Sequence, residues 1–229
     1  MFEKIAELLS KQNLLVQAAK ECRYMLELDI EMFQNAKDAI RNKAEEQAKF
    51  DIYKHDKKVN KLERSVRRNI LTHLAVSNRL DLNHGLVLIS IVIDLERIGD
   101  YTKNIYELGK THPGVLNPGP WSKEIKNIEK ELENALQTLI NLFEMKEPKL
   151  EIAKELMRGL IEYNKQLDSF IEQIVTGKLK DFSSSDSAVL TLYLRYLKRI
   201  CSHLKNVASS IVNPMHRIGY KPKKKKHTN

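Results

Sequence analysis

The chain has 229 residues, 42% of them hydrophobic and 30% charged, and a formal net charge of +9. That length supports a sizeable core as one large domain or two small ones, and no run approaches the ~18 apolar residues needed to span a bilayer. The charge is concentrated at one end: residues 216–229 hold six Lys or Arg and no acid, which leaves +3 for everything before them, so a strong nucleic-acid surface is not expected on the folded part.

Few breakers interrupt the chain, with eight Gly and six Pro in all and no Pro before Pro113, which suits long helices and short connections. A first helix is expected from about Leu14 to Ala48, with Leu15, Ala18, Cys22, Met25, Met32, Phe33, Ala36 and Ile40 on its apolar stripe, after a short one over Phe2 to Leu9. Asp29 falls on that stripe, where a lone acid reads as a margin or capping residue. A second helix, about Phe50 to Val76, carries Ile52, Val59, Leu62, Val66, Ile70 and Leu74, with Asp56, Asn60 and Glu63 along one edge.

A break at Ser77–Asp81 leads into Leu86–Ile93, which is rich in β-branched residues. The same apolar period runs on to Leu108 without a turn signal, so length makes this a helix and not a strand. Within it, Glu96, Asp100 and Asn104 lie four residues apart on one stripe. Like charges at i,i+4 cost a helix roughly 0.2–0.5 kcal/mol unless a cation lies between them, so a metal or a basic partner is a natural expectation.

Thr111–Pro120 contains three of the six prolines and reads as a stiff linker. A fourth helix follows, with Ser122 as its expected N-cap and Ile125, Ile128, Leu132, Leu136, Leu139 and Phe143 buried. A fifth, Ile152 to Ile174, ends near Gly177, and Ser183–Asp186 offers caps for a sixth running to Ile211. Tyr196–Val207 matches Asp94–Ile105 at five of twelve positions, 102 residues later, including Arg97/Arg199 and Asn104/Asn206. Three helices on each side of the linker make this a duplicated unit. The acids do not recur: Glu96 becomes Lys198 and Asp100 becomes Ser202.

Leu95-Glu-Arg-Ile-Gly-Asp100 with Asn104-Ile105, together with Asp56-Lys-Lys-Val-Asn-Lys-Leu-Glu63 and six helices about a central linker, resembles the PhoU family and the related domains of sodium-dependent phosphate symporters. The resemblance implies an all-α fold of two pseudo-repeated antiparallel three-helix bundles, over residues 1–112 and 121–214, with a linker at 113–120 and a basic tail at 215–229. It implies an accessory regulator of phosphate transport and phosphate homeostasis, with a phosphate transporter or symporter, or a phosphate-sensing signalling protein, as partner. A metal site on Asp56, Asn60, Glu96 and Asp100 is implied for the first repeat only, with iron, zinc, magnesium or manganese as the ion. In the second repeat the matching residues are Asn164, Asp168, Lys198 and Ser202, where the Lys198 ammonium would take the cation's place beside Asp168.

Cys22 and Cys201 have no ligand spacing and read as reduced thiols, and Met1–Glu7 lacks a signal-peptide pattern. A cytoplasmic protein is therefore expected, reaching a membrane only through a partner, and a homodimer is one expected assembly. Catalysis is not expected, because neither a phosphate-binding Gly-rich loop nor Glu-x-x-His pairs are present. Two other readings stay open: a purely structural interaction bundle without metal, and a binder of nucleic acid or anionic lipid through Lys221, Lys223, Lys224, Lys225 and Lys226.

Overall fold

The computed structural model describes residues 13–42, 50–76, 81–145, 147, 149–180 and 182–221. Among them are six long helices and no strand: α1 (Asn13–Asn42), α2 (Ile52–Val76), α3 (Leu82–Thr111), α4 (Ser122–Glu144), α5 (Leu150–Val175) and α6 (Ser184–Val212). The expected Phe2–Leu9 helix, the end of the first helix beyond Asn42, and the tail lysines Lys223 to Lys226 lie outside the described residues. Leu86–Ile93 is helical throughout, as its unbroken period requires.

Each helix buries the stripe that its period dictates. The stripes of α1, α2 and α3 meet in pairs, giving a first bundle around Phe33, Met25, Ile70, Leu95 and Ile98. The α5 and α6 pair forms the second bundle with α4, around Leu132, Leu160, Tyr193 and Leu197. The two repeats share one core, because α3 packs along α6 and α1 along α4. At that junction Glu129 of α4 is buried and receives the Arg41 guanidinium of α1 and the Tyr193 hydroxyl of α6, each at 2.5 Å. The Asp94 carboxylate of α3 accepts from His203 Nδ1 at 2.7 Å and Asn206 Nδ2 at 2.9 Å, both on α6.

The duplication is not symmetrical in packing. Helix α4 sits closer to α1 of the other repeat than to α5 of its own. A shallow cavity of about 370 Å³ opens between α4 and α5, lined by Glu131, Thr138, Glu155, Gly159 and Tyr163 among others.

One local expectation needs correction. Ser122 is the first residue of α4 and not its cap, because the turn Gly119–Trp121 already winds as a 3₁₀ helix and feeds straight into it. Near the end of α2, His73 is only 1% exposed and bonds Asp81 Oδ2 through Nε2 at 3.1 Å. At α6, by contrast, Ser183 does cap: its Oγ accepts from the Asp186 amide at 3.0 Å and donates to the Asp186 carboxylate at 2.7 Å. The linker is pinned to the first bundle, since the Leu116 amide donates to the Ile40 carbonyl at 2.9 Å and Leu116 is buried.

Candidate functional site

The i,i+4 spacing of Glu96 and Asp100 places both on the face of α3 that looks toward α2. On α2, Asn60 Nδ2 donates to Asp56 Oδ2 at 3.3 Å. Between the two helices lies Lys103, whose Nζ donates to Asp56 Oδ1 at 2.8 Å and Asp100 Oδ1 at 3.2 Å. Although burial acts to lower it, the hydrogen bonds and charges of Asp56 and Asp100 hold the Lys103 ammonium above its usual range. Arg97 covers the outer side, 2.9 Å from Asp100 Oδ2 and 3.4 Å from Glu96 Oε2. Three of the four expected residues, Asp56, Asn60 and Asp100, are thus brought together around an ammonium group.

Glu96 faces inward, toward two acids that the sequence does not single out as ligands. Burial, followed by the charges of Asp100 and Glu63 against the opposing pull of Arg97, pushes the Glu96 carboxyl up to about 7. Glu63 of α2 is held by Arg67 at 2.6 Å. Asp29 of α1 is 0% exposed, and neither of its carboxylate oxygens has a hydrogen-bond partner. Burial first, and the charge of Glu96 second, raise the Asp29 carboxyl well above the usual carboxylate range.

Gly99 explains how Asp29 reaches this position. A Cβ at Gly99 would lie 3.0 Å from Asp29 Oδ1 and 3.5 Å from Val59 Cγ1. The missing side chain therefore makes the space that Asp29 fills, which offsets the cost of about 1 kcal/mol that Gly imposes on a helix interior.

Of five carboxylates in this region, Asp56, Glu63, Glu96 and Asp100 are touched by three cations, Arg67, Arg97 and Lys103, and Asp29 by none. Ionising the raised Asp29 and Glu96 carboxyls would leave an excess of negative charge. Among the described residues no three His, Cys, Asp or Glu side chains converge on a single ion position, and Lys103 lies between Asp56 and Asp100. The donor chemistry nevertheless fits a hard cation, for it consists of carboxylate and amide oxygens from three helices, one of them buried without a partner.

In the second repeat the corresponding place is neutralised. The Lys198 ammonium bonds Asp168, and Ser202 Oγ lies 3.3 Å from Asn164 Oδ1 while donating to the Lys198 carbonyl at 2.9 Å. Cys201 stands where α3 has Gly99. Its buried thiol donates to the Leu160 carbonyl at 3.1 Å, and burial pushes it up to about 12. Cys22 is also free and buried.

Residues 23–109, which span most of α1 and all of α2 with α3 to Gly109, match the family model described as the PhoU domain. No curated protein sequence matches the chain. Among solved structures, it is similar to the phosphate transport system regulatory protein PhoU from Streptococcus pneumoniae, with 17% identity, a TM-score of 0.73, and coverage of 86% of this chain and 93% of that one. It is also similar to PhoU from Pseudomonas aeruginosa, with 19% identity, a TM-score of 0.66, and coverage of 90% and 96%. The chain thus matches the PhoU domain model over its first three helices and shares the fold of solved PhoU structures over most of its length.

Proposed function

We propose that this protein is a cytoplasmic, non-catalytic regulator of phosphate transport, acting by binding a phosphate transporter or a phosphate-sensing signalling protein. The Streptococcus pneumoniae protein is described as a phosphate transport system regulatory protein, and the shared fold supports proposing that role for this chain. Among the described residues no helix is long and apolar enough to cross a membrane, so transport itself is assigned to the partner.

The observation that carries the mechanistic part is Asp29, a fully buried carboxylate without a donor beside the raised Glu96 carboxyl. Ionising a buried carboxyl that has no partner is costly, and a divalent cation would relieve that cost. Since no three of these side chains converge in the described structure, Asp29, Glu63, Glu96 and Asp100 would hold the ion only once drawn together, with Asp56 and Asn60 at its edge once Lys103 withdraws. The all-oxygen set favours magnesium, manganese or ferrous iron over zinc. When bound, the ion supplies charge neutralisation. The residues themselves then tie α1, α2 and α3 into one unit, so cation loading sets how rigidly the first bundle presents its surface to a partner.

Affinity purification of the tagged full chain from its own cells tests the reading. The expected result is enrichment of a phosphate transporter subunit or phosphate-sensing kinase, reduced several-fold by the double substitution Glu96→Ala, Asp100→Ala. Recovery of neither class, with the wild type folded and soluble, would reject the regulatory role.

A further inference from the structure

Helix α2 carries seven Lys or Arg against two acids, Asp56 and Glu63, and both acids are already held by cations. Five of the seven, Lys54, Lys57, Lys61, Arg64 and Arg68, are exposed and follow one another at three- and four-residue steps. That spacing keeps them on one face of the helix along roughly 20 Å of axis. None has an acidic partner among the described residues; the Arg64 Nε donates to the Asn60 carbonyl at 3.2 Å. The same face continues into Leu71, which is 63% exposed, and the helix ends at the exposed Val76.

The pseudo-equivalent helix lacks this pattern. In the register that sets Asp56 against Asn164, the five cations correspond to Glu162, Lys165, Ser169, Glu172 and Thr176, and α5 holds five acids against three Lys or Arg. The basic row of α2 is therefore not repeated on α5. Helix α2 packs against α1 and α3, so its outer face forms an edge of the described structure.

We infer that the outer face of α2 is a docking surface for an anionic lipid bilayer. A straight, convex row of unpaired cations suits a flat array of headgroups, and an apolar residue at its end suits insertion at the acyl boundary. A grooved ligand such as single-stranded nucleic acid would call for stacking aromatics between the cations, and Tyr53, engaged edge-on with Tyr106, is the one Phe, Tyr or Trp that α2 itself contains. Such a surface would place the protein on the leaflet in which a transporter partner is embedded and fix which flank faces it.

Each cation held at an anionic leaflet strengthens binding about fivefold. Co-sedimentation of the full chain with phosphatidylcholine vesicles, and with mixed phosphatidylcholine–phosphatidylglycerol vesicles, is expected to show binding to the mixed vesicles alone, released by high salt. The triple substitution Lys57→Glu, Lys61→Glu, Arg64→Glu should weaken it by more than about a hundredfold with an unchanged thermal transition. The milder Lys57→Gln, Lys61→Gln, Arg64→Gln serves if the charge reversals impair folding, and should weaken binding on the order of a hundredfold. Replacing Lys223 to Lys226 by Gln in the full chain should leave most of the binding in place. The inference is overturned if the stripe variants bind like wild type, if the tail variant alone abolishes binding, if neutral vesicles bind equally, or if duplex DNA binds more tightly than the mixed vesicles.

Discussion

Asp29→Asn is expected to raise the stability of the metal-free protein at pH 7 by about 1–3 kcal/mol, while abolishing any stabilisation by a divalent cation. Most substitutions at fully buried positions destabilise, so the sign is the informative part. The wild-type carboxylate sits among apolar side chains with no donor and with Glu96 repelling it. The folded chain must keep a proton on this raised carboxyl that the unfolded chain releases, and an amide of the same shape carries no such cost. In a chain of this size each kcal/mol moves Tm by roughly 2–4 °C, within reach of calorimetry on chelator-treated protein. An unchanged or lower Tm for the variant would show that the Asp29 carboxyl is not an uncompensated burden.

The second large effect concerns the packing of α1 on α3. A Cβ at Gly109 would lie 2.8 Å from the Cα of Ile40 and 2.9 Å from its amide nitrogen, both backbone atoms that cannot step aside. Gly109→Ala is therefore expected to destabilise by about 1–3 kcal/mol, even though Ala gains about 1 kcal/mol of helix propensity. Gly159→Ala is the internal control, since a Cβ there meets only Tyr163 Cε2 at 3.8 Å on the open side of α5. That change should be neutral or stabilising by about 0.5–1 kcal/mol. Denaturant unfolding of the pair checks the contrast, and equal effects would contradict the packing.

The helices, the duplication and the α2–α3 acids could be read from the sequence because each is a local or periodic property. Glu96 and Asp100 advertise themselves by i,i+4 spacing, and the loss of both acids in the second copy shows as Lys198 and Ser202. Asp29 could not be read in this way. One acid on an apolar stripe has no partner in its own helix, and only packing shows that it points at Gly99 of α3. The pairing of Asp29 with a glycine 70 residues away is a tertiary fact.

Lys103 likewise reads as a neighbour of Asp100 by spacing, but its bond to Asp56 needs the helix crossing. The basic row on α2 was hidden by averaging, because a charge of +3 over most of the chain conceals one helix with seven cations and two acids. The asymmetry of α4, closer to α1 than to α5, also has no local signal, since its apolar stripe would suit either neighbour.

In the proposed regulator, a cation relieves the cost of ionising the buried acids of the first bundle. Its pH dependence has a definite sign. The Glu96 carboxyl is raised from a reference of 4.5 to about 7, so below pH 4.5 both folded and unfolded chains hold the proton and the group costs nothing. Between 4.5 and 7 the folded chain holds a proton that the unfolded chain has released, and stability falls as pH rises. Above 7 the full cost is present. A bound cation favours the ionised form and removes that cost, so its effect should grow as pH rises through 7.

The most direct measurement is thermal unfolding of metal-stripped wild type from pH 5 to pH 8, with and without manganese. The account predicts a Tm contribution that declines toward pH 7 without the ion and is restored by the ion at pH 7 and above, with no restoration in Asp29→Asn. A wild-type Tm at pH 8 that is indifferent to manganese would contradict it.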